Sequence, residues 1–225
     1  MQENDEILRA LGKDPKRAEE NLERLLSEPP NQAREAVRAE LCRMEIFLKQ
    51  LTEALQAFAE RLPKRKSLFE ESDGNRFYTV VGSETVKIDQ ILTEARKTCR
   101  EEISQAVRDT RQELLKRRYF CEVVSREFPT LSSKARQGIE KTREQEETLE
   151  ELSFRLEAIQ AQYAVLLLDH ATPFLKQVGR LADVRHRGER MQSGAIRAAC
   201  ESLFAKVEPL LAAVLKMKAE SEPKK

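Results

Sequence analysis

The chain contains no tryptophan, and aromatic residues account for only 5% of its 225 residues. Glycine occurs seven times and proline eight times, so signals for tight turns are sparse. This scarcity argues against both a β-rich fold and a compact α/β enzyme. The remaining composition is 40% hydrophobic and 35% charged, a balance typical of long amphipathic helices. We therefore predict an all-α protein.

Paired cysteines are also lacking. The four cysteines lie far apart in sequence and form no C-x-x-C pair, which argues against a structural zinc site or a redox dithiol: Cys42, Cys99, Cys121 and Cys200. Free thiols are expected in a reducing compartment. Residues 1–6 are acidic and lack the features of a signal peptide, and the longest nearly apolar stretch, residues 161–168, is far shorter than the ~20 residues that span a bilayer. We expect a cytoplasmic protein.

Residues suited to catalysis are few. The chain has two histidines, His170 and His186, and no nucleophile elbow, phosphate-binding glycine loop or dinucleotide fingerprint. Asp183 and His186 have the spacing used in di-metal helical bundles, but such sites require a second motif of the same kind, which is missing. The sequence predicts no metal, no cofactor and no enzymatic activity.

The overall charge offers no general attraction to anionic partners. Forty basic residues against thirty-nine acidic residues leave a formal net charge of +1, so binding to nucleic acid or to an anionic membrane would depend on local clusters. Few aromatic residues accompany the basic clusters, and nucleic acid is therefore not an expected partner.

The strongest pattern lies in residues 31–62. Apolar side chains recur there at alternating intervals of four and three, the spacing of a packed helical seam: Val37, Leu41, Met44, Leu48, Leu51, Leu55, Phe58 and Leu62. Similar rows predict main helices over residues 86–128, 131–168 and 173–218, with short N-terminal helices in residues 4–28. Asp14 should cap the second of these because Pro15 suits the first helical position. Pro209 should kink or restart the last main helix.

Residues 63–85 have a different character. Asp73 and Gly74 form a turn signal, and residues 77–81 are the only β-branched and aromatic run in the chain. We interpret this segment as a loop or short β-hairpin inserted between helices. The predicted architecture is thus a single domain over residues 1–225, an elongated antiparallel bundle with coiled-coil-like seams, a small N-terminal helical pair and this insertion.

Charge patterns support antiparallel neighbours if the chain turns near residues 129 and 170. A turn at Pro129 places an acidic run near residues 140–151 opposite a basic run near residues 108–118. A turn at His170 places Glu150, Glu151 and Glu157 opposite the basic residues that begin at Arg180.

One end of the predicted bundle has polar residues in its seam. The row in residues 131–168 passes through Gly138, Thr142 and Gln145 before it becomes apolar. We expect this end to be looser and therefore available to partners.

These features favour a non-catalytic protein-interaction, scaffold or adaptor module that binds other proteins through helical surfaces and self-associates. The alternative is a peripheral binder of an anionic membrane or of a filament, acting through basic clusters. The candidate partner-binding residues come from these clusters and from the insertion: Lys64, Arg65, Lys66, Phe77, Tyr78, Arg185, Arg187 and Arg190.

Overall fold

A computed structural model describes residues 14–27, 30–62, 71–96, 100–183 and 189–221. Within these ranges the backbone is helical and contains no strand, so the all-α prediction is confirmed. The described ranges contain seven α-helices: α1 Pro15–Ser27, α2 Gln32–Arg61, α3 Glu71–Ala95, α4 Arg100–Glu127, α5 Ser132–Val165, α6 Thr172–Asp183 and α7 Glu189–Glu220. A 3-10 helix, Pro129–Leu131, precedes α5, and a π-helix, Leu166–Ala171, follows it.

The helices group into two compact units by their contacts. The first unit comprises Met1–Val37 with Arg100–Leu156, and the second comprises Arg38–Cys99 with Glu157–Lys225. The prediction that residues 1–225 form a single elongated bundle stays a prediction. None of the described helices is long and apolar enough to cross a membrane.

The start of α1 shows the expected cap. The Lys16 amide donates a hydrogen bond to Asp14 Oδ1 at 3.0 Å, and Pro15 occupies the first helical position. Side-chain caps of this kind satisfy an amide that has no partner within the helix. The predicted role of Asp14 is therefore confirmed, whereas the short helix predicted near residues 4–11 lies outside the described residues.

The first unit packs α1, α4 and α5 around a shared core. Its buried members come from all three helices and the 3-10 helix: Ala18, Leu22, Phe120, Cys121, Val123, Val124, Leu131 and Ala135. Gly138 of α5 lies close to both other helices, since a Cβ atom built there would lie 2.7 Å from Cys121 Sγ and 3.4 Å from Leu26 Cδ2. Gly138 and Thr142 are buried. The expectation of a loose end is therefore wrong at Gly138 and Thr142. The missing side chain of Gly138 lets the helices pack closely, and the Thr142 hydroxyl donates to the Gly138 carbonyl at 2.8 Å. Gln145 is half-buried.

Ion pairs confirm that α4 and α5 run antiparallel in this unit. Arg111 Nη2 lies 2.9 Å from Glu150 Oε1, and Arg118 Nη1 lies 3.1 Å from Glu146 Oε2. Both pairs join the basic and acidic runs that a turn at Pro129 was predicted to bring together. The predicted pairing across Pro129 is therefore correct.

Arg117 interrupts the apolar row of α4 but remains on its buried side, with 9% of its surface exposed. Its guanidinium donates to Glu113 Oε1 at 3.1 Å and to the backbone carbonyl of Leu25 at 3.0 Å. A buried guanidinium is tolerated only with such partners. Arg117 thus links the end of α1 to α4.

The second unit contains the apolar row of α2 and its partners. From Leu41 to Leu62 the predicted row is almost fully buried. Helix α7 runs antiparallel to α2, because Arg197 donates to the carbonyl of Leu62 at 3.2 Å and Lys218 Nζ lies 2.6 Å from Glu45 Oε2. Hydrogen bonds from Lys218 and Lys49 lower the pKa of Glu45. The apolar row of α7 is buried as predicted, from Ile196 to Met217.

The predicted loop or β-hairpin over residues 63–85 is wrong where the structure describes it. Residues 71–85 belong to α3, and residues 63–70 lie outside the described residues. Phe77, Val81, Ile88 and Leu92 are buried along one side of α3. Glu84 occupies the same side and pairs with Arg61 of α2 and with Lys87. Burial of this helical row outweighs the strand preference of residues 77–81, which is a weak and context-dependent effect.

The single helix predicted over residues 86–128 is also wrong. Helix α3 ends at Ala95, Arg96 forms a turn, and α4 begins at Arg100. Between residues 83 and 128 there is no glycine or proline to mark this break. The apolar rows of α3 and α4 pack in different units.

The predicted turn at His170 is replaced by the π-helix. Pro173 has no amide hydrogen, and its ring displaces the carbonyl four residues earlier, so the preceding turns widen. The Thr172 amide bonds to the Leu167 carbonyl, and the Thr172 hydroxyl donates to the same carbonyl at 2.7 Å. Arg96 then donates to the Thr172 hydroxyl at 2.9 Å. The chain therefore continues into α6 without reversing.

Pro209 also fails to divide a helix. It lies inside α7, and both Pro209 and Ala205, whose carbonyl loses a partner, are exposed. Water can satisfy that carbonyl, which explains why the helix continues and the predicted restart is wrong.

The α2 row permits a direct stability test. Leu48→Asp or Leu55→Asp should lower the free energy of unfolding by about 3–5 kcal/mol, because each introduces an uncompensated charge at a fully buried position. Chemical denaturation followed by circular dichroism measures this change. Gln56→Asp is the matched control, since Gln56 is exposed on the same helix. Equal stability of the buried and exposed variants would contradict the packing of this row.

The close approach at Gly138 gives a second test. Gly138→Ala should lower the free energy of unfolding by about 1–3 kcal/mol because the new methyl overlaps Cys121 Sγ. Gly82→Ala should instead raise it by about 0.5–1 kcal/mol, since nothing lies within 4 Å of that position and alanine favours the helix.

A double-mutant cycle identifies the atom responsible. Adding Cys121→Ala to Gly138→Ala removes the sulfur, so the double variant should be more stable than the sum of the two single effects. Strict additivity would show that the contact with Cys121 does not limit residue 138.

Candidate functional site

Most of the predicted partner-binding residues fall outside the described structure. Lys64, Arg65 and Lys66 do so, as do Arg185 and Arg187, and only the helical backbone of Arg190 is described. Their proposed role in binding stays a prediction.

Phe77 and Tyr78 are described, and they lie in α3 rather than at the tip of a loop. Phe77 is fully buried, and the two rings meet edge to face with centroids 5.3 Å apart. Phe77 therefore belongs to the interior and cannot contribute to a recognition surface without unfolding. Tyr78 is partly exposed.

A small cavity lies among the described residues of each unit. In the first unit, a cavity of about 170 Å³ lies at the start of α2, where the Ala33 amide donates to the buried Thr110 hydroxyl at 3.1 Å. In the second, a groove of about 190 Å³ lies between α2 and α3. Small-molecule sites usually measure about 300–1,000 Å³. Each cavity is closer in size to a single large side chain than to a cofactor.

The groove of the second unit has an apolar floor with charges at its edge. Phe47 and Tyr163 contact edge to face with ring centroids 5.3 Å apart, and Glu40 and Arg43 lie beside them. Burial raises the pKa of Tyr163, and the nearby Glu40 carboxylate acts in the same direction. The phenol therefore stays neutral, which suits packing rather than acid–base chemistry.

The two buried thiols, Cys121 and Cys200, are poor nucleophiles. Burial raises the pKa of Cys121 to about 11 and that of Cys200 to about 12, and reactivity requires the thiolate. In the described part of the chain, no group of three or more His, Cys, Asp or Glu side chains is arranged to hold a metal ion.

The most unusual surface lies in the second unit, at the end of α5 and in the π-helix. Four exposed apolar residues follow one another there at intervals of three and four, and we call them the open row: Ala158, Ala161, Val165 and Leu168. Val165 is 47% exposed and Leu168 61%, and both alanines are exposed. Single exposed apolar residues are ordinary, but a row with the spacing of a helical seam resembles a surface that packs against another helix.

The apolar stretch at residues 161–168 has one buried side and one exposed side, and the exposed side belongs to the open row. Tyr163 and Leu166 are buried, whereas Ala161, Val165 and Leu168 face outwards. A helix that is apolar all round is usually buried all round. Sequence reasoning missed this surface because it followed only one row on the helix, although the stretch itself was the available signal.

No family model, curated protein or solved structure matches this chain. Its function is therefore inferred from the geometry of these surfaces.

The low reactivity expected of the buried thiols can be tested directly. In the folded protein at pH 8, roughly a thousandth of Cys121 or less is thiolate, so Cys121 and Cys200 should react with a chromogenic disulfide reagent much more slowly than an exposed cysteine. After denaturation without reductant, all four thiols should react. Two or more blocked thiols would contradict the expected reducing compartment, and fast labelling of the folded protein would contradict the burial of Cys121 and Cys200.

Proposed function

We propose that this chain is a non-catalytic interaction module of scaffold or adaptor type, cytoplasmic, and built as an elongated helical bundle. Its binding surface is the open row, which holds a helical segment of another chain. The observation that carries the proposal is the exposure of Val165 and Leu168, three residues apart, next to Tyr163 and Leu166, which are already buried. Helix-to-helix recognition uses apolar anchors spaced three or four residues apart.

Burial of the open row would contribute most of the affinity. Covering a large apolar side chain removes its surface from water, which contributes about 1.5–3 kcal/mol for a residue such as leucine or phenylalanine. Val165 and Leu168 are the large side chains of the row and have the most to gain. The small Ala158 and Ala161 beside them allow a partner helix to approach closely.

The groove beside Tyr163 suits the same kind of partner. Its volume of about 190 Å³ and its apolar floor match one inserted side chain of a bound segment. Ile46, 56% exposed, lies at its edge. A partner anchored there would make a second contact, and binding at the open row does not require it.

Substitution at the open row tests the proposal. Val165→Asp with Leu168→Asp should abolish co-purification of proteins that bind tagged wild-type chain, including an untagged copy of the chain itself, because charges oppose burial against a partner. Helicity and melting should remain nearly unchanged, since both positions are exposed. Mass spectrometry of the co-purified proteins and circular dichroism measure the two effects.

A matched control makes the result interpretable. Val86→Asp serves as that control, because Val86 is 57% exposed and lies on a different helix, α3. If every bound protein is retained by the row variants, the open row is not the binding surface and the proposal fails.

A further inference from the structure

We infer that the groove between α2 and α3 binds a cationic side chain of a partner segment, an arginine or a lysine. This inference goes beyond the proposed function, because the groove is lined by other residues than the open row and neither surface requires the other. All residues that line the groove belong to the second unit. The inference is carried by a buried hydroxyl and by the charge of the lining.

The Tyr163 hydroxyl lies at the groove without a hydrogen bond. Tyr163 lines the groove and is only 5% exposed, and no hydrogen bond within the described ranges reaches its hydroxyl. Glu40 and Arg43, the charged groups that act on this hydroxyl, also line the groove. Buried tyrosine hydroxyls usually have a partner. The phenol oxygen can therefore accept a hydrogen bond from a group that enters the groove.

The lining of the groove is negatively charged. Its charged residues are two carboxylates, Glu40 and Glu94, and one guanidinium, Arg43, so the lining has a net charge of −1. Arg43 pairs with Glu40, which is 4% exposed. An anion in the groove would add to the excess negative charge, whereas a cation would offset it.

The C-terminal end of α3 strengthens this preference. Ile91, Glu94 and Ala95 line the groove, and α3 ends at Ala95. The C-terminus of a helix carries a partial negative charge, and α3 has no basic residue in its last turn to offset it. Arg96, the next residue, donates to the Thr172 hydroxyl at 2.9 Å. A cation in the groove would thus lie near both the carboxylates and the end of this helix.

The apolar part of the lining suits the stem of such a side chain. Met44, Ile46 and Ile91 supply aliphatic surface, and Phe47 and Tyr163 supply aromatic rings. Arginine and lysine bury an aliphatic stem against surfaces of this kind and keep the charged group at polar atoms. Aromatic rings also attract a nearby cation. The volume of about 190 Å³ suits one side chain of this size.

Blocked single amino acids test the groove directly. Nα-acetyl-arginine methylamide and its lysine equivalent should bind the full chain saturably, with a Kd on the order of millimolar that rises with salt. NMR titration of the backbone amides measures Kd, and the largest shifts should lie in the parts of α2 and α3 that line the groove. The ratio of the two Kd values identifies the preferred residue. The citrulline equivalent is the matched control, since it has the shape of arginine without its charge, and it should bind at least about tenfold more weakly.

Variants of the lining separate its two features. Tyr163→Phe should weaken arginine binding roughly three- to tenfold through loss of one hydrogen bond, and melting should be unchanged because the hydroxyl makes none in the described structure. Tyr78→Phe is its control, since Tyr78 lies on α3 and does not line the groove. Glu94→Gln should weaken binding by a similar factor. Glu53→Gln, at an exposed position of α2 outside the groove, should not.

Several results would overturn the inference. These are equal binding of the arginine and citrulline derivatives, no saturable binding of either cationic derivative, shifts spread over exposed carboxylates elsewhere, and unchanged binding in Tyr163→Phe and Glu94→Gln. Val165→Asp with Leu168→Asp should leave arginine binding intact, so the two proposals fail separately. If only the row substitutions lose proteins, the proposed function stands and the groove inference fails. If only the cationic derivatives bind, the groove inference stands and the proposed function fails.

Discussion

A helix whose apolar residues recur at intervals of four and three can bury only the side on which that spacing places them. Helix α5 meets this constraint in both units. In the first, its buried side brings Gly138 against Cys121, and in the second it brings Tyr163 against Phe47. These contacts cover only one side of α5. The apolar residues on its opposite side therefore stay exposed.

The rows of buried residues could be predicted from the sequence because they depend on local spacing alone. The α2 row from Val37 to Leu62 is buried without exception, and the caps and charge pairs near Asp14 and Pro129 follow equally local rules. A glycine or a polar residue within a row is a weaker guide to how tightly the helices pack. Gly138 led us to expect a loose end, yet the absence of a side chain there is what allows the tight contact.

The elements that could not be predicted are those decided by distant contacts. Residues 77–81 have strand-like side chains, but Phe77 and Val81 gain more from burial in α3 than from pairing as an isolated hairpin. No glycine or proline marks the end of α3 at Ala95, although the apolar rows of α3 and α4 pack in different units. Pro173 suggested a new start, whereas the π-helix and the Thr172 hydroxyl accommodate it within a continuing helix.

That continuing helix also limits the part of the candidate site that the sequence could supply. Glu151 and Arg180 were matched on the assumption that the chain reverses at His170, and charge complementarity by itself does not show whether a partner lies in the same chain or in another. The apolar stretch at residues 161–168 was visible in the sequence. Which of its residues would stay exposed was not, because that depends on the contacts that bury Tyr163 and Leu166 and leave Val165 and Leu168 open.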